Sequence, residues 1–190
     1  MLDIYTAKDF KQLLGLPGFS DTLLTNHFTL YEGYVKNTNA LVSLLGTKEL
    51  GTPEYSELQR RFGWEWNGMR LHELYFENMT KESAELQGGT LKEKIETTYG
   101  SFENWKRNFA GIGAMRGIGW GVLYQDTMSG SLFSTWINEH DMGHLTGCVP
   151  LLIMDVFEHA YMTDYGIKKA DYIEAFFRSI DWKVVEKRLA

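Results

Sequence analysis

The sequence predicts an α+β fold in which an N-terminal antiparallel helical hairpin lobe precedes a mixed lobe with a small three-stranded antiparallel sheet flanked by helices. Two patterns support this. The first half of the 190-residue chain places apolar residues at helical spacing, and the part after Trp120 has short apolar runs separated by turn residues. The flexible segment Gln87-Gly88-Gly89 lies between them. We therefore predict a helical lobe over residues 1–88 and a mixed lobe over residues 89–190.

The chain begins with a predicted short helix and a long one. Thr6 and Asp9 have the spacing of a capping box that would open the short helix, and residues 15–18, Gly-Leu-Pro-Gly, would end it. Apolar and aromatic residues then recur at helical spacing from about residue 21 to 45.

A second long helix is predicted from residue 53 to about residue 79. Thr52 can cap it, Pro53 suits the first helical position, and Glu54 places an acid in the first turn. Gly63 is a position at which this helix could break. Since the connection between the two long helices is short, an antiparallel hairpin is expected.

The mixed lobe is predicted to open with two helices. Thr90 and Glu93 form a second capping box, and Ser101 is positioned to cap the next helix. Residues 111–121 are rich in glycine but do not match a nucleotide-binding motif, so we interpret them as tight turns and close backbone packing.

Three strands and three further helices complete the prediction. The strands are expected over residues 121–124, 132–137 and 149–154. The helices are expected over residues 156–165 and 168–180, and briefly after residue 181.

Composition and charge exclude several functional classes. The net charge is −6 and no basic run is present, which disfavours nucleic acid and anionic membrane surfaces as partners. No apolar run approaches the roughly 20 residues that span a bilayer. Cys148 is the single cysteine, so no intrachain disulfide can form. The first five residues lack the pattern of a secretory signal, and a cytoplasmic location is expected.

The strongest local chemical signal is the pair Asp155 and His159. Asp155 ends a predicted buried strand, where a carboxylate is costly unless it is paired or binds a cation. His159 follows four residues later, so a helical turn would direct both side chains to one point. The alternative, equally supported by these residues alone, is a helix-capping aspartate beside a surface histidine.

This region resembles a known family. Residues 155–161 read DVFEHAY, which is similar to the DVWEHAYY signature of iron/manganese superoxide dismutases. Further segments resemble the family in the expected order: His27 followed by Tyr34-Val35-Lys36-Asn37, Leu71 to Phe76, Gly100 to Lys106, Gly119-Trp120, and Ala170 to Ile173 with Trp182.

The resemblance implies a site and an activity. It implies one iron or manganese ion per chain, and a superoxide dismutase that converts this small anion to oxygen and hydrogen peroxide. The implied metal ligands are His27, His72, Asp155 and His159. Tyr34 matches the gateway tyrosine of the family, a group implied to relay protons.

The same resemblance implies a second layer around the metal and a homodimer. His140 matches the position that orients metal-bound water, and because some iron-type members have histidine there, it favours iron. Gly68 shows that the helix glutamine of other iron enzymes is absent. Glu158 matches the residue that reaches His159 of the partner subunit. His144 has no match in the family, and we interpret it as structural or exposed.

The sequence also departs from the family in the access channel and the aromatic shell. Tyr31 replaces a histidine and Met162 a tyrosine, a pair that normally bonds across the dimer. Phe157, Phe76 and Val122 replace tryptophans. These changes support an alternative: a non-enzymatic or weakly active metal-binding relative that keeps the dimeric fold.

The spacing from His27 to Tyr34 differs as well. It is seven residues here and usually eight in the family. At about 100° per residue, seven steps return to within roughly 20° of the same helix face, whereas eight require an extra residue such as a π-bulge. We therefore predict a helix without a bulge, with both side chains on one face.

Overall fold

The computed structural model describes residues 4–190; residues 1–3, on which the prediction of no secretory signal partly rests, lie outside the described residues. Within this range the helices are α1 (Asp21–Leu45), α2 (Pro53–Glu77), α3 (Thr90–Tyr99), α4 (Phe102–Gly113), α5 (Met162–Tyr165), α6 (Lys169–Phe177) and α7 (Trp182–Lys187). The strands are β1 (Gly119–Asp126), β2 (Leu132–Asn138) and β3 (Cys148–Asp155). The predicted α+β class is confirmed.

The N-terminal hairpin is formed by α1 and α2. The Ser20 side chain caps α1 by accepting from the Leu23 amide at 3.0 Å, and Thr52 caps α2 as predicted, accepting from the Tyr55 amide at 3.2 Å. The helix α2 has no break at Gly63. A single glycine costs a helix only about 1 kcal/mol, and the packing of α2 along α1 outweighs that cost.

The prediction of a short helix after Thr6 is wrong. Its segment is irregular apart from one 3₁₀ turn at Lys11–Leu13. Asp9 accepts from the Lys11 amide instead of completing a capping box, and the Lys8 amide donates to the Tyr31 hydroxyl, both at 3.0 Å. Because these amides bond to side chains, the segment lies along the hairpin without coiling into a helix.

The sheet has the strand order β2-β1-β3 and is antiparallel throughout, as predicted. The start of β1 pairs with the ends of both neighbours: Trp120 lies opposite Ile137 on β2 and opposite Asp155 on β3. Gly119 has a φ of 156°, and a Cβ there would overlap the Ile137 carbonyl oxygen. Close backbone packing in the glycine-rich run is thus confirmed, and it brings one end of the sheet together around Asp155.

Of the two helix caps predicted at the start of the mixed lobe, one is confirmed and one is wrong. Ser101 caps α4 as expected, accepting from the Asn104 amide at 3.1 Å. The capping box at Thr90 is wrong, because Gly89 precedes α3 without a side-chain cap. The Leu91 amide donates instead to the Glu186 carboxylate on α7 at 3.3 Å, a long-range contact that local sequence does not encode.

The prediction of one helix over residues 156–165 is also wrong. The chain stays extended through Phe157, forms a 3₁₀ turn at Glu158–Ala160, and only then enters the short α5. The Val156 amide donates to the Gly119 carbonyl at 3.0 Å, and the Phe157 amide donates to Asp155 Oδ1 at 2.8 Å. The Val156 bond continues the pairing with β1 for one residue beyond β3, and Phe157 keeps an extended backbone with a ψ of 154°.

Buried side chains from both halves pack in one core, which includes Leu23, Phe76, Trp120, Leu152 and Phe176. The division at residue 88 stays a prediction. None of the helices within residues 4–190 combines the length and apolar character needed to cross a membrane.

Candidate metal centre

Four side chains from distant parts of the chain converge where the hairpin meets the sheet. His27 lies on α1, His72 on α2, Asp155 at the end of β3, and His159 in the 3₁₀ turn that follows. One ligand atom from each lies within 4.8 Å of all the others. The Nε2 atoms of His27 and His159 are each 3.1 Å from Asp155 Oδ2, and that of His72 is 3.6 Å away.

His159 reaches this cluster by a route different from the one expected. It does not lie one α-helical turn beyond Asp155, because the intervening residues are extended and then 3₁₀. The extended stretch lets the chain turn back over the end of β3. Asp155 itself is anchored by the Tyr172 hydroxyl, which donates to its carbonyl oxygen at 2.5 Å.

The donor set fits a transition-metal cation. The Nδ1–H of His72 donates to the Gly68 carbonyl at 2.5 Å, which leaves the lone pair on Nε2. That Nε2 is buried and has no hydrogen-bond partner among the described residues. An unsatisfied buried acceptor costs about 1–3 kcal/mol, and a cation at the centre of the cluster would satisfy it. Three imidazoles and one carboxylate suit iron or manganese.

The protonation states also suit metal binding. Burial lowers the pKa of His27 and lowers the pKa of His72 still further, so both imidazoles are neutral at pH 7. Burial opposes ionisation of Asp155, but the neighbouring His159 and His27 outweigh it and hold the pKa of this carboxyl well below its usual range. His27 and His72 thus offer nitrogen lone pairs, and Asp155 offers a negatively charged oxygen.

Tyr34 and His140 lie together beside this cluster. The Tyr34 hydroxyl is 2.7 Å from Nε2 of His140, and the Trp120 indole N–H donates to Nδ1 of His140 at 3.1 Å. Burial lowers the pKa of His140 to about 4, so the imidazole is neutral. Because the indole can only donate, the His140 proton sits on Nε2 and is donated to the Tyr34 oxygen. The phenol keeps its own proton free for another acceptor.

The helix α1 is continuous and has no π-bulge, as predicted. His27 and Tyr34 both face the cluster, and the Tyr34 ring stacks on His72 with centroids 5.1 Å apart. Gly68 makes this possible, because a Cβ at that position would lie 2.5 Å from Cδ1 of Tyr34. The glycine identified in the sequence therefore provides space for the Tyr34 ring.

Two of the three residues that stand in place of the family's tryptophans pack against histidines of the cluster. The Phe76 ring packs against His27 with centroids 4.9 Å apart, and Phe157 packs against His140 at 4.6 Å and His159 at 5.1 Å. Val122 is buried in the core. Trp64, which the sequence analysis did not identify, meets His140 edge-on at 4.9 Å.

Tyr31 and Met162 occupy different surroundings. Tyr31 is fully buried and its hydroxyl donates to Glu73 Oε1 at 3.0 Å, so it points into the hairpin. Met162 is 43% exposed. The Tyr31 hydroxyl thus bonds within its own chain, and the Met162 side chain has no hydrogen-bond donor.

His144 is not an isolated surface residue. Its Nε2 is 2.8 Å from the His140 carbonyl oxygen, and its Nδ1 is 2.9 Å from the Tyr124 hydroxyl. The spacing of four residues from His140 was a signal in the sequence, but nothing in that spacing indicated a contact with the backbone.

Fold and site together define a class: an α+β protein with a candidate mononuclear metal site of three histidines and one aspartate between a helical hairpin and a three-stranded sheet. The family model for iron/manganese superoxide dismutases, C-terminal domain, matches residues 87–188. Superoxide dismutase (Mn) 2 of Haloferax volcanii is 36% identical over 169 residues, which cover 87% of this chain and 84% of that protein.

Two iron-type relatives match over more of the chain. Superoxide dismutase (Fe) of Saccharolobus solfataricus is 34% identical over 182 residues, covering 91% of this chain and 86% of that protein. Superoxide dismutase (Fe) of Aquifex pyrophilus is 34% identical over 190 residues, covering 95% and 89%. The chain belongs to the iron/manganese superoxide dismutase family.

Proposed function

We propose that this protein dismutates superoxide at a single iron or manganese ion held by His27, His72, Asp155 and His159. The observation that carries the proposal is the convergence of these four side chains within 4.8 Å, with a buried and unpaired Nε2 on His72. When bound, the ion would supply one-electron redox chemistry, by which one superoxide is oxidised to oxygen and another is reduced to peroxide. That second half consumes two protons, which the surrounding residues must help to deliver.

Tyr34 is the proposed proton relay. Burial, together with the charges of Asp155 and Glu65, raises the pKa of its phenol, so the group is protonated at pH 7. The bond from Nε2 of His140 fixes the phenol oxygen and leaves its proton free, as the contact with Trp120 requires. We propose that His140 holds this donor in place and orients water at the metal.

The proposed choice between iron and manganese rests on His140. Relatives of both types match the chain, so family membership alone does not separate iron from manganese. We propose iron as the preferred ion, because His140 occupies the position where the resemblance places histidine in iron-type members.

We also propose a homodimer in which Glu158 bonds to His159 of the partner subunit. Glu158 is exposed, and the His159 side chain is 28% exposed although it belongs to an otherwise buried cluster. A symmetric contact would make this bond twice and cover both exposed imidazoles. A cytoplasmic location stays a prediction from the sequence.

An isosteric pair of variants tests the metal site. Asp155→Asn keeps the size of the side chain and removes its charge, and Asp171→Asn makes the same change at an exposed position on α6. We expect Asp155→Asn to lose metal and dismutation together, and Asp171→Asn to keep both. Full metal content and full rate in Asp155→Asn would refute the assignment of Asp155.

The same measurements separate the enzyme from a metal-binding relative. Protein reconstituted separately with iron and with manganese is assayed for superoxide consumption per bound ion. Negligible dismutation by a fully loaded sample would favour the non-enzymatic alternative, which the inward turn of Tyr31 and the apolar Met162 motivate.

A further inference from the structure

The loop that carries His140 has an unusual backbone. It connects β2 to β3 over residues 139–147. Glu139 has a φ of 50°, in the left-handed region that side chains other than glycine seldom adopt, and Gly143 has a φ of 104°. Such conformations persist where the surrounding structure holds them. The placement of His140 therefore depends on contacts that restrain this loop.

Backbone bonds restrain the residues on either side of His140. The Glu139 amide donates to the Ile118 carbonyl at 3.0 Å, and the Asn138 amide donates to the Met142 carbonyl at 2.8 Å. The contact at His140 itself is different, since its carbonyl oxygen lies 2.8 Å from Nε2 of His144. A carbonyl only accepts, so His144 donates this bond with its Nε2–H.

The other nitrogen of His144 is held by the sheet. Its Nδ1 lies 2.9 Å from the Tyr124 hydroxyl. Burial and, to a smaller extent, nearby Cys148 raise the pKa of Tyr124 to about 12, so the phenol keeps the proton that it can donate to Nδ1. Tyr124 belongs to β1, the strand that also contains Trp120.

The strand β1 thus holds His140 at two points. Trp120 bonds to the imidazole ring directly, and Tyr124 reaches the main chain of His140 through His144. Two attachments to one rigid strand fix both the position and the rotation of the ring. Without His144, the carbonyl of His140 itself would lose its hydrogen bond, and only the neighbouring amides of Asn138 and Glu139 would restrain the loop.

We propose that His144 is a positioning residue for His140 and, through it, for the Tyr34 phenol. Its effect on the reaction rests on the proposed dismutase function, but the geometric role does not. The hydrogen bonds of His144 go to Tyr124 and to the His140 carbonyl, and none joins it to the four residues of the metal cluster among the described residues. It acts by holding the His140 carbonyl with Nε2.

Two amide substitutions separate the two nitrogens of His144. The amide nitrogen of His144→Gln reaches about as far as Nε2 and can donate to the His140 carbonyl. The oxygen of His144→Asn lies close to the position of Nδ1, so this variant can accept from Tyr124 but stops short of His140. The proposal requires the glutamine to substitute for histidine and the asparagine to fail. His144→Ala removes both contacts.

Hydrogen exchange of the Trp120 indole N–H measures the position of His140 directly, because this proton bonds to Nδ1 of His140. The full-length chain is labelled with ¹⁵N-tryptophan and loaded with zinc, a diamagnetic ion that histidine and carboxylate ligands accept. The indole of Trp105 on α4, which is fully buried and donates to the Ser134 hydroxyl at 3.2 Å, serves as the internal control for global unfolding. Dismutation per bound ion is measured on manganese-loaded samples.

We expect the Trp120 indole to exchange about fivefold faster in His144→Ala and His144→Asn, the effect of losing one hydrogen bond. In His144→Gln the rate should stay within about twofold of the wild-type rate. A recess of about 180 Å³ borders His144, Tyr124 and Cys148, so water can partly replace the imidazole, which limits the change to a few fold. The Trp105 indole should exchange equally in all four proteins, and dismutation should fall only in the alanine and asparagine variants.

Wild-type exchange at Trp120 in all three variants, or rescue by asparagine and not by glutamine, would overturn the proposal. Faster exchange at Trp105 as well would reduce the role of His144 to general stability and would also overturn the proposal. If Trp120 responds as expected but even the wild-type protein does not dismutate superoxide, the positioning role stands and the proposed function fails.

Discussion

Replacing Gly68 with alanine tests how closely the Tyr34 ring packs against α2. Alanine in the middle of a helix is ordinarily about 1 kcal/mol more stable than glycine. At this position, however, the new Cβ would lie 2.5 Å from Cδ1 and 2.7 Å from Cε1 of Tyr34. Carbon atoms in favourable contact are about 3.5 Å or more apart, so the ring would have to retreat by about 1 Å.

Moving the Tyr34 ring away from α2 would lower the stability of the protein. Overpacking of this kind destabilises a protein by about 1–3 kcal/mol. It would also stretch the 2.7 Å contact between the Tyr34 hydroxyl and His140 beyond hydrogen-bonding distance, a further loss of about 1 kcal/mol. After the gain in helix propensity is subtracted, Gly68→Ala should destabilise the protein by about 1–3 kcal/mol.

Gly33 on α1 is the matched control. It also lies inside a long helix, but a Cβ there would meet nothing within 4 Å. Gly33→Ala should therefore stabilise the protein by up to about 1 kcal/mol, which separates the two variants by about 1–4 kcal/mol. Urea unfolding of manganese-loaded protein, followed by circular dichroism, measures the difference. Equal stabilisation by both alanines would refute the packing argument and the role assigned to Gly68.

Three further predictions concern buried polar groups. Tyr31→Phe removes a hydroxyl that bonds at 3.0 Å to both Glu73 and the Lys8 amide, so unfolding in urea should become about 1–3 kcal/mol easier; an unchanged midpoint would contradict this. Burial lowers the pKa of the His140 imidazole from 6.5 to about 4. As the pH falls, the unfolded chain therefore binds a proton at this histidine before the folded protein does. The stability that is present above pH 6.5 is lost as the pH falls toward 4. Wild-type protein should therefore lose about 3 kcal/mol more stability than His140→Gln between pH 7 and pH 4, and equal losses would count against a buried neutral imidazole. Finally, chelation of the metal should lower the unfolding free energy by about 4 kcal/mol relative to protein in a free metal concentration 1,000 times the dissociation constant. The unfolding free energy of Asp155→Asn should not change on chelation.

Local sequence signals predicted the elements that form by local rules. The cap at Thr52 and the three strands were correct because they depend on near neighbours or on an uninterrupted apolar pattern. The capping boxes at Thr6 and Thr90 failed because side chains distant in sequence, such as Tyr31 and Glu186, take the backbone amides. Local propensity is a weak preference that a tertiary hydrogen bond readily overrides.

The ligand set could not be obtained from spacing. His27 and Asp155 are 128 positions apart and meet through Oδ2 and Nε2, a pairing that the family resemblance supplied and no periodicity contains. The route of His159 to the cluster was predicted as a helical turn and is an extended strand end followed by a 3₁₀ turn. The four residues of the cluster could therefore be named from the sequence, but the backbone path that brings them together could not.

By itself, the sequence determined the α+β class, the order of the main elements, the absence of an intrachain disulfide and, through its family resemblance, the residues that converge. Tertiary structure alone decided that Tyr31 turns inward to Glu73, that Trp120 sets the proton of His140, and that His144 bonds to the main chain of His140. The reason is physical: apolar periodicity records which face of an element is buried, whereas a hydrogen bond depends on the position and direction of two atoms brought together by the whole fold.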